Sequence, residues 1–205
     1  FTKDSTVKLA DTLTTVNDYS FRQAYNIEQV EFPDTVTTIG NQVFTLNLTS
    51  LENINIGPNV ISINPLFKYN NYYGVVTIDA NNQNYSIEDN ELYNKDKTEL
   101  IAVLYDISGQ YIVKEGVTKI GDNALHYRTN MTSIVLPDGL KEIGSSFQNS
   151  GLTTIYIPNS VDTIASYAFG NVANLTQIQI DKEPGSIVGS PWGAIRGDRI
   201  VEWLR

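Results

Sequence analysis

The sequence predicts an α/β solenoid: a right-handed coil with short parallel strands on a concave face and short helical turns opposite. Two observations predict it. The last apolar residue of each strand-like triplet falls at Leu9, Phe32, Ile56, Ile78, Val113, Leu136, Ile157 and Ile180, at intervals of 23, 24, 22, 35, 23, 21 and 23 residues. A period of this size, held with one outlier, is the mark of a tandem array in which each unit buries its apolar face only against its neighbours. The second observation is a shared local grammar: an apolar-polar-apolar triplet, a turn, a second apolar stretch, then an aromatic residue or Leu.

Each part of that unit has a physical reason. The triplets at 30–32 (VEF), 54–56 (INI), 76–78 (VTI), 134–136 (IVL), 155–157 (IYI) and 178–180 (IQI) alternate with period two, which makes them strands with one buried face. Pro33-Asp34, Pro58-Asn59, Pro137-Asp138 and Pro158-Asn159 follow. Proline presets φ and Asp or Asn bonds to nearby backbone, so the chain turns there. In the next stretch, VTTIG at 36–40 or LKEIG at 140–144, the Ile points inward. Phe21, Phe44, Phe67, Leu125, Phe147 and Phe169 then plug the layer. Segments such as 166–175 (SYAFGNVANL) are too short for a free helix and are expected to make one helical turn packed on neighbours.

Two regions break the rhythm. Residues 84–103 (NYSIEDNELYNKDKTELIAV) replace the turn and the plug, which accounts for the 35-residue interval. Within them, ELYNKDKTEL reads as two strands joined by a polar Asn-Lys-Asp-Lys turn, a hairpin insertion over about 84–104. The tail after residue 182 also loses the period. With Trp192, Ile200 and Trp203 it is expected to cover the open end of the core. The expected organisation is an array of about eight strand rows over 1–182 and a C-terminal cap over 183–205.

The recurring (I/L/V)-x-(I/L)-P-(D/N)-x-(V/L)-x-x-I-(G/A) pattern, with its trailing Phe and Leu-x-x-Ile, resembles the BspA-like bacterial leucine-rich repeat family over about residues 5–182. The resemblance implies a leucine-rich-repeat solenoid. It also implies that a β-hairpin can stand in place of a helical turn. Members of the family are implicated in adhesion to host proteins and other bacteria. The resemblance therefore implies a non-catalytic, cell-surface or secreted protein-interaction module.

Composition narrows the alternatives. A formal net charge of -9 opposes a nucleic-acid backbone or direct binding to an anionic membrane, since both need a basic face. No apolar run approaches the ~18 residues of a membrane helix. Cysteine is absent, which removes disulfides, thiolate metal sites and cysteine nucleophiles. A cysteine-free repeat array suits a bacterial source. The opening FTKDS is neither a signal peptide nor an initiator Met, so an export signal is expected outside this segment, with the protein at the cell surface or outside the cell.

No catalytic set can be assembled. His126 is the only His and is expected at the surface, on the side away from the strands. IGSSF at 143–147 lacks nucleophile-elbow spacing, and no phosphate-cradling glycine motif occurs. Glu88, Asp89 and Glu91 read as a solvated acidic turn. Asp79, Asn81 and Gln83 imitate a calcium loop, but Asn84 and Asn90 stand where Gly and Glu are needed. No enzyme activity, cofactor or metal site is expected.

The outward-facing strand positions are the better site. They run as pairs: Thr6/Lys8, Gln29/Glu31, Asn53/Asn55, Val75/Thr77, Gln110/Ile112, Ser133/Val135, Thr154/Tyr156 and Gln177/Gln179. Only Lys8 and Glu31 are charged. Amides, hydroxyls and a Tyr suit neutral recognition of a host extracellular or bacterial surface protein, or of a glycan. The candidate ligand-binding residues are Asn53, Asn55, Thr154, Tyr156, Gln177 and Gln179. A second candidate is the aromatic stretch FKYNNYYG (67–74), with Tyr72 and Tyr73. The alternative functions are a rigid spacer in a larger surface protein and a glycan-binding accessory module.

Overall fold

Alternation of apolar and polar residues over three to five positions puts every second side chain inward, and rows of such strands zip together through their backbones. A computed structural model describes residues 6–44, 51–63, 74–195 and 197–205. It is a parallel β-solenoid, and its chain divides into two compact units: residues 1–96 with 103–105, and residues 97–102 with 106–205.

In the first unit, β1 (Thr6–Lys8), β3 (Gln29–Glu31), β5 (Asn53–Ile56) and β7 (Val75–Ile78) form a four-stranded sheet in that order. All pairs are parallel and in repeat register, with Val7 beside Val30, Val30 beside Ile54 and Ile54 beside Val76. A second ladder runs through β2 (Thr15–Val16), β4 (Thr38–Ile39) and β6 (Ser62–Ile63). Between the ladders lie Val30, Val36, Ile39, Phe44, Ile54, Ile56 and Val60, each at most 3% exposed. The unit ends in a hairpin of β8 (Tyr85–Glu88) and β9 (Glu91–Asn94), antiparallel with Glu88 beside Glu91.

The second unit repeats the plan. Its first-ladder strands are β11 (Gly109–Ile112), β13 (Met131–Val135), β15 (Thr154–Ile157), β17 (Gln177–Ile180) and β18 (Val201–Trp203). β11 pairs with β13, and β15, β17 and β18 pair in order, all parallel. Thr153 N–H reaches Thr132 O at 3.0 Å where β15 approaches β13. The second ladder is β10 (Glu99–Val103), β12 (Lys119–Ile120), β14 (Glu142–Ile143) and β16 (Thr163–Ile164). One rung shows the layer in full: Leu152, Ile155, Ile157, Val161, Ile164 and Phe169 are all buried, and burial of each is worth about 1.5–3 kcal/mol.

The plugs form aromatic columns. Phe21 and Phe44 stack at 5.4 Å, and Phe147 and Phe169 at 5.5 Å. Phe169 then meets the edge of Trp192 at 6.4 Å, and Trp192 that of Trp203 at 6.5 Å. Phe67 lies outside the described residues.

Two expectations need revision. The short inward stretches after the Pro-Asp turns are two-residue strands forming their own ladder. The segments opposite are turns, and the one regular helix among the described residues is the 3-10 turn Gly197–Ile200. The reason is where the backbone bonds go: Phe147 N–H bonds Ala168 O, Asn149 N–H bonds Gly170 O, and Phe169 N–H bonds Trp192 O, at 2.9–3.0 Å. Those groups serve the next rung, and Asn123, Asn149 and Asn171 at φ of 56–61° turn each segment out of the α region. A further turn, Asp89-Asn90, joins β8 to β9, both residues at positive φ (51° and 60°) as a tight two-residue hairpin loop demands. The expected Asn-Lys-Asp-Lys turn joins the next two strands, β9 and β10 (Glu99–Val103).

Candidate functional site

Outward strand positions stand in rows, one residue per rung at ~4.8 Å spacing. In the first unit one such row is Lys8, Glu31, Asn55, Thr77, aligned by register. Its polar groups answer one another. Lys8 Nζ lies 3.1 Å from a Glu31 carboxylate oxygen, and Thr77 Oγ1 donates to Asn55 Oδ1 at 3.0 Å. Asn53 is exposed at the start of β5.

The corresponding row of the second unit differs in chemistry. Ile112 pairs with Val135, Tyr156 takes the same outward place on β15, and Gln179 and Glu202 continue the row. Ile112 is 61% exposed, Val135 43% and Tyr156 47%. The two glutamines are tied down, since Gln177 and Gln179 both donate to one Glu202 oxygen, at 2.7 and 3.1 Å. Thr154 is exposed beside them on β15.

Tyr156 is oriented from below. Close to it stands Asp181, whose charge acts on the Tyr156 hydroxyl and which Arg205 grips with two nitrogens at 2.7 and 2.9 Å. The Arg205 hydrogen bond holds the Asp181 carboxyl below its usual range, despite an opposing desolvation cost. Desolvation, then the negative charge and hydrogen bond of Asp181, push the Tyr156 phenol up, so it is a neutral donor at physiological pH. An aromatic ring carried on a hydrogen-bonded strand contacts a partner with little backbone entropy left to lose.

Of the sequence-predicted residues, Asn53, Asn55, Thr154, Tyr156, Gln177 and Gln179 stand on the strand-borne face, two in the first unit and four in the second. Tyr72 and Tyr73 lie outside the described residues. Period-two reading placed Ile112 and Val135 on this face but undervalued them. Glu202 and Arg205 were missed because the tail that carries them has no repeat grammar, and Asp181, at the end of the last row, because its partner Arg205 lies in that tail.

Elsewhere, polar clusters turn out to be structural. His126 is buried at 5% exposure, not at the surface: its Nδ1 lies 2.9 Å from Asn123 Oδ1 and its Nε2 3.0 Å from Asn149 Nδ2. The left-handed asparagines that turn each rung supply those partners. Of the acidic cluster expected as a solvated turn, Glu88 and Asp89 are exposed, but Glu91 is buried against the hydroxyls of Tyr93 and Tyr105. Burial, then the Glu91 hydrogen bond and charge, push the Tyr93 phenol up. In the calcium-loop look-alike, Asn82 is fully buried, donating to Gly57 O and Val60 O and accepting from the Asn84 and Tyr85 amides. That set of bonds uses the side chain as a staple between rungs. Among the described residues, no group of three or more His, Cys, Asp or Glu is placed to hold a metal ion, and no helix is long and apolar enough to cross a membrane.

A stack of short parallel rungs, sealed by aromatic columns and displaying one strand-borne face, defines a leucine-rich-repeat scaffold. The profile of the BspA type leucine rich repeat region matches in six copies over residues 2–112 and 105–190, and the chain belongs to that family. Among solved structures, the pneumococcal vaccine antigen PcpA superposes with a TM-score of 0.66 at 17% identity, over 86% of this chain and 50% of that one. A leucine rich cell surface protein from Faecalibacterium prausnitzii gives 0.62 at 22% identity, over 98% and 60%. A leucine-rich repeat protein from Eubacterium ventriosum gives 0.51 at 17% identity, over 98% and 72%. These identities speak to fold alone, and the chain spans half to three fifths of the length of the first two. No curated protein matches the sequence.

Proposed function

We propose that this segment is a non-catalytic protein-interaction module of a secreted or surface-exposed bacterial protein, binding a host extracellular or bacterial surface protein through the strand-borne face of residues 109–205. Membership of the BspA-type family supports an interaction module in general, and two of the similar structures are a vaccine antigen and a cell surface protein. The observation that carries the reading is the exposed row Ile112, Val135 and Tyr156 on hydrogen-bonded strands, where apolar side chains face solvent and the neighbouring amides are already occupied. Exposed aliphatic and aromatic groups on a rigid sheet release water on contact and lose little conformational freedom. Among interface residues, Tyr is one of the commonest to dominate affinity.

The test is capture on a sensor surface carrying extracellular-matrix proteins, mucins or bacterial surface extracts. Saturable binding is expected, falling at least tenfold in the Ile112→Ser/Val135→Ser/Tyr156→Ser variant with an unchanged unfolding midpoint. Binding that ignores the triple variant moves the site off this face. A rigid spacer is the second reading, favoured by the internally paired row of the first unit, and failure to capture anything would promote it.

A further inference from the structure

We propose that the occupant of this face is an extended, basic protein segment, laying apolar side chains along Ile112, Val135 and Tyr156 and setting Lys or Arg side chains against the acidic groups that border them. The proposal rests on the interaction reading above and adds the partner's chemistry.

The argument is charge complementarity around an apolar stripe. Asp138 is exposed in the turn that follows β13, close enough for its charge to act on the Tyr156 phenol. Glu202 is exposed at the end of the row, receiving two amide donors but no cation, among the hydrogen bonds described for it. Glu183 is exposed nearby, with its charge acting on Arg205. The local cations are committed elsewhere. Arg205 is held by Asp181 in a two-point contact, and Lys182 lies 3.1 Å from Asp162. Lys114, two residues beyond β11, is half-buried and has interactions of its own. The solvent-facing surround of the stripe is therefore acidic, in a chain whose net charge is -9. An acidic partner would meet repulsion, while a basic one gains attraction at the rim and hydrophobic contact in the middle. The first unit offers no such combination, because its row is polar and carries the Lys8–Glu31 pair.

Three labelled synthetic peptides of about 12 residues test this, a length that spans ~40 Å when extended. One alternates Lys with Leu and Tyr; the second carries Glu for Lys; the third carries Ser for Leu and Tyr. Fluorescence anisotropy should show saturable binding of the first alone. That binding should weaken severalfold between about 50 and about 300 mM sodium chloride, as the Debye length shortens. Asp138→Asn/Glu183→Gln should weaken it and flatten its salt dependence. Ile112→Ser/Val135→Ser/Tyr156→Ser should weaken it at least tenfold, and both variants should unfold at the wild-type midpoint. Equal binding of the Glu peptide, or binding of the Lys-Ser peptide as tight as the first, would overturn the proposal. If no peptide binds while captured proteins still depend on Tyr156, the partner chemistry is wrong but the face stands. If both measurements fail, the interaction reading falls too.

Discussion

Gly144 shows how closely one residue can be dictated by the rung before it. A Cβ there would stand 2.7 Å from Asp122 Oδ1, 2.9 Å from Asp122 N and 3.0 Å from Gly121 C. Asp122 belongs in that place because its Oδ1 accepts the Ser145 amide at 2.8 Å. The first unit repeats the device: Asp18 Oδ1 accepts the Asn41 amide at 2.7 Å and would lie 2.5 Å from a Cβ on Gly40. The Gly of the Ile-Gly motif thus makes room for a cap from the preceding rung. Gly144→Ala should cost about 1–3 kcal/mol by forcing the rungs apart, read from chemical denaturation. Asp122→Ser should not rescue it, because backbone atoms obstruct the methyl as well; full rescue would mean that the carboxylate alone sets the glycine. The Asp181–Arg205 clasp carries a pH signature. The folded carboxyl titrates below its usual value of 3.8, so its contribution to folding is present above that pH and is lost as pH falls through the lower folded value. An NMR titration of the Asp181 carboxyl should show that depressed midpoint, and Arg205→Ala should return it towards 3.8. A midpoint indifferent to Arg205→Ala would dissolve the clasp.

At the scale of elements, legibility followed the length of the pattern. The first-ladder strands β1, β3, β5, β7, β11, β13, β15 and β17 were readable because three or more alternating residues in a fixed period have one sensible folding. The second ladder was legible only as inward-facing Ile positions, since two-residue strands carry no periodicity of their own and exist through their neighbours. The turn segments misled for a related reason. Their composition suits a helical turn, but each backbone finds partners one rung away before it can close a helix. In the insertion, Leu92 and Tyr93 signal a strand and the Asn-Lys-Asp-Lys turn follows it, while the tight Asp89-Asn90 turn before it is exposed, as the acidic run suggests. Burial of Glu91 and His126 depended on hydroxyls and amides contributed by Tyr93, Tyr105, Asn123 and Asn149, a convergence that spacing alone does not reveal. The candidate face was visible as a set of outward positions. Its ranking was not, because the sequence does not say that Gln177 and Gln179 share Glu202 or that Thr77 occupies Asn55.

For the molecule as a whole, stacking of rungs within each unit makes stability a sum of rung and nearest-neighbour terms, so damage should be local and should fade with rung number. Phe169 is fully buried and touches both the Phe147 ring before it and the Trp192 ring after it. Truncating it to Ala removes both ring contacts and leaves a cavity, at a cost of about 3–5 kcal/mol. Under nearest-neighbour coupling, hydrogen exchange in Phe169→Ala should accelerate across β15 and β17, and less at β13. Protection at β11 and β12, two rungs back, should stay close to wild type. An equal loss of protection across the whole second unit would contradict this and mean that these rungs fold all together. The same locality bears on recognition. Ile112, Val135 and Tyr156 stand on β11, β13 and β15, so rungs at the far side of the Phe169 defect should still present Ile112 unchanged. Binding measured on that variant should then fall through Tyr156 first, following the order in which the rungs loosen.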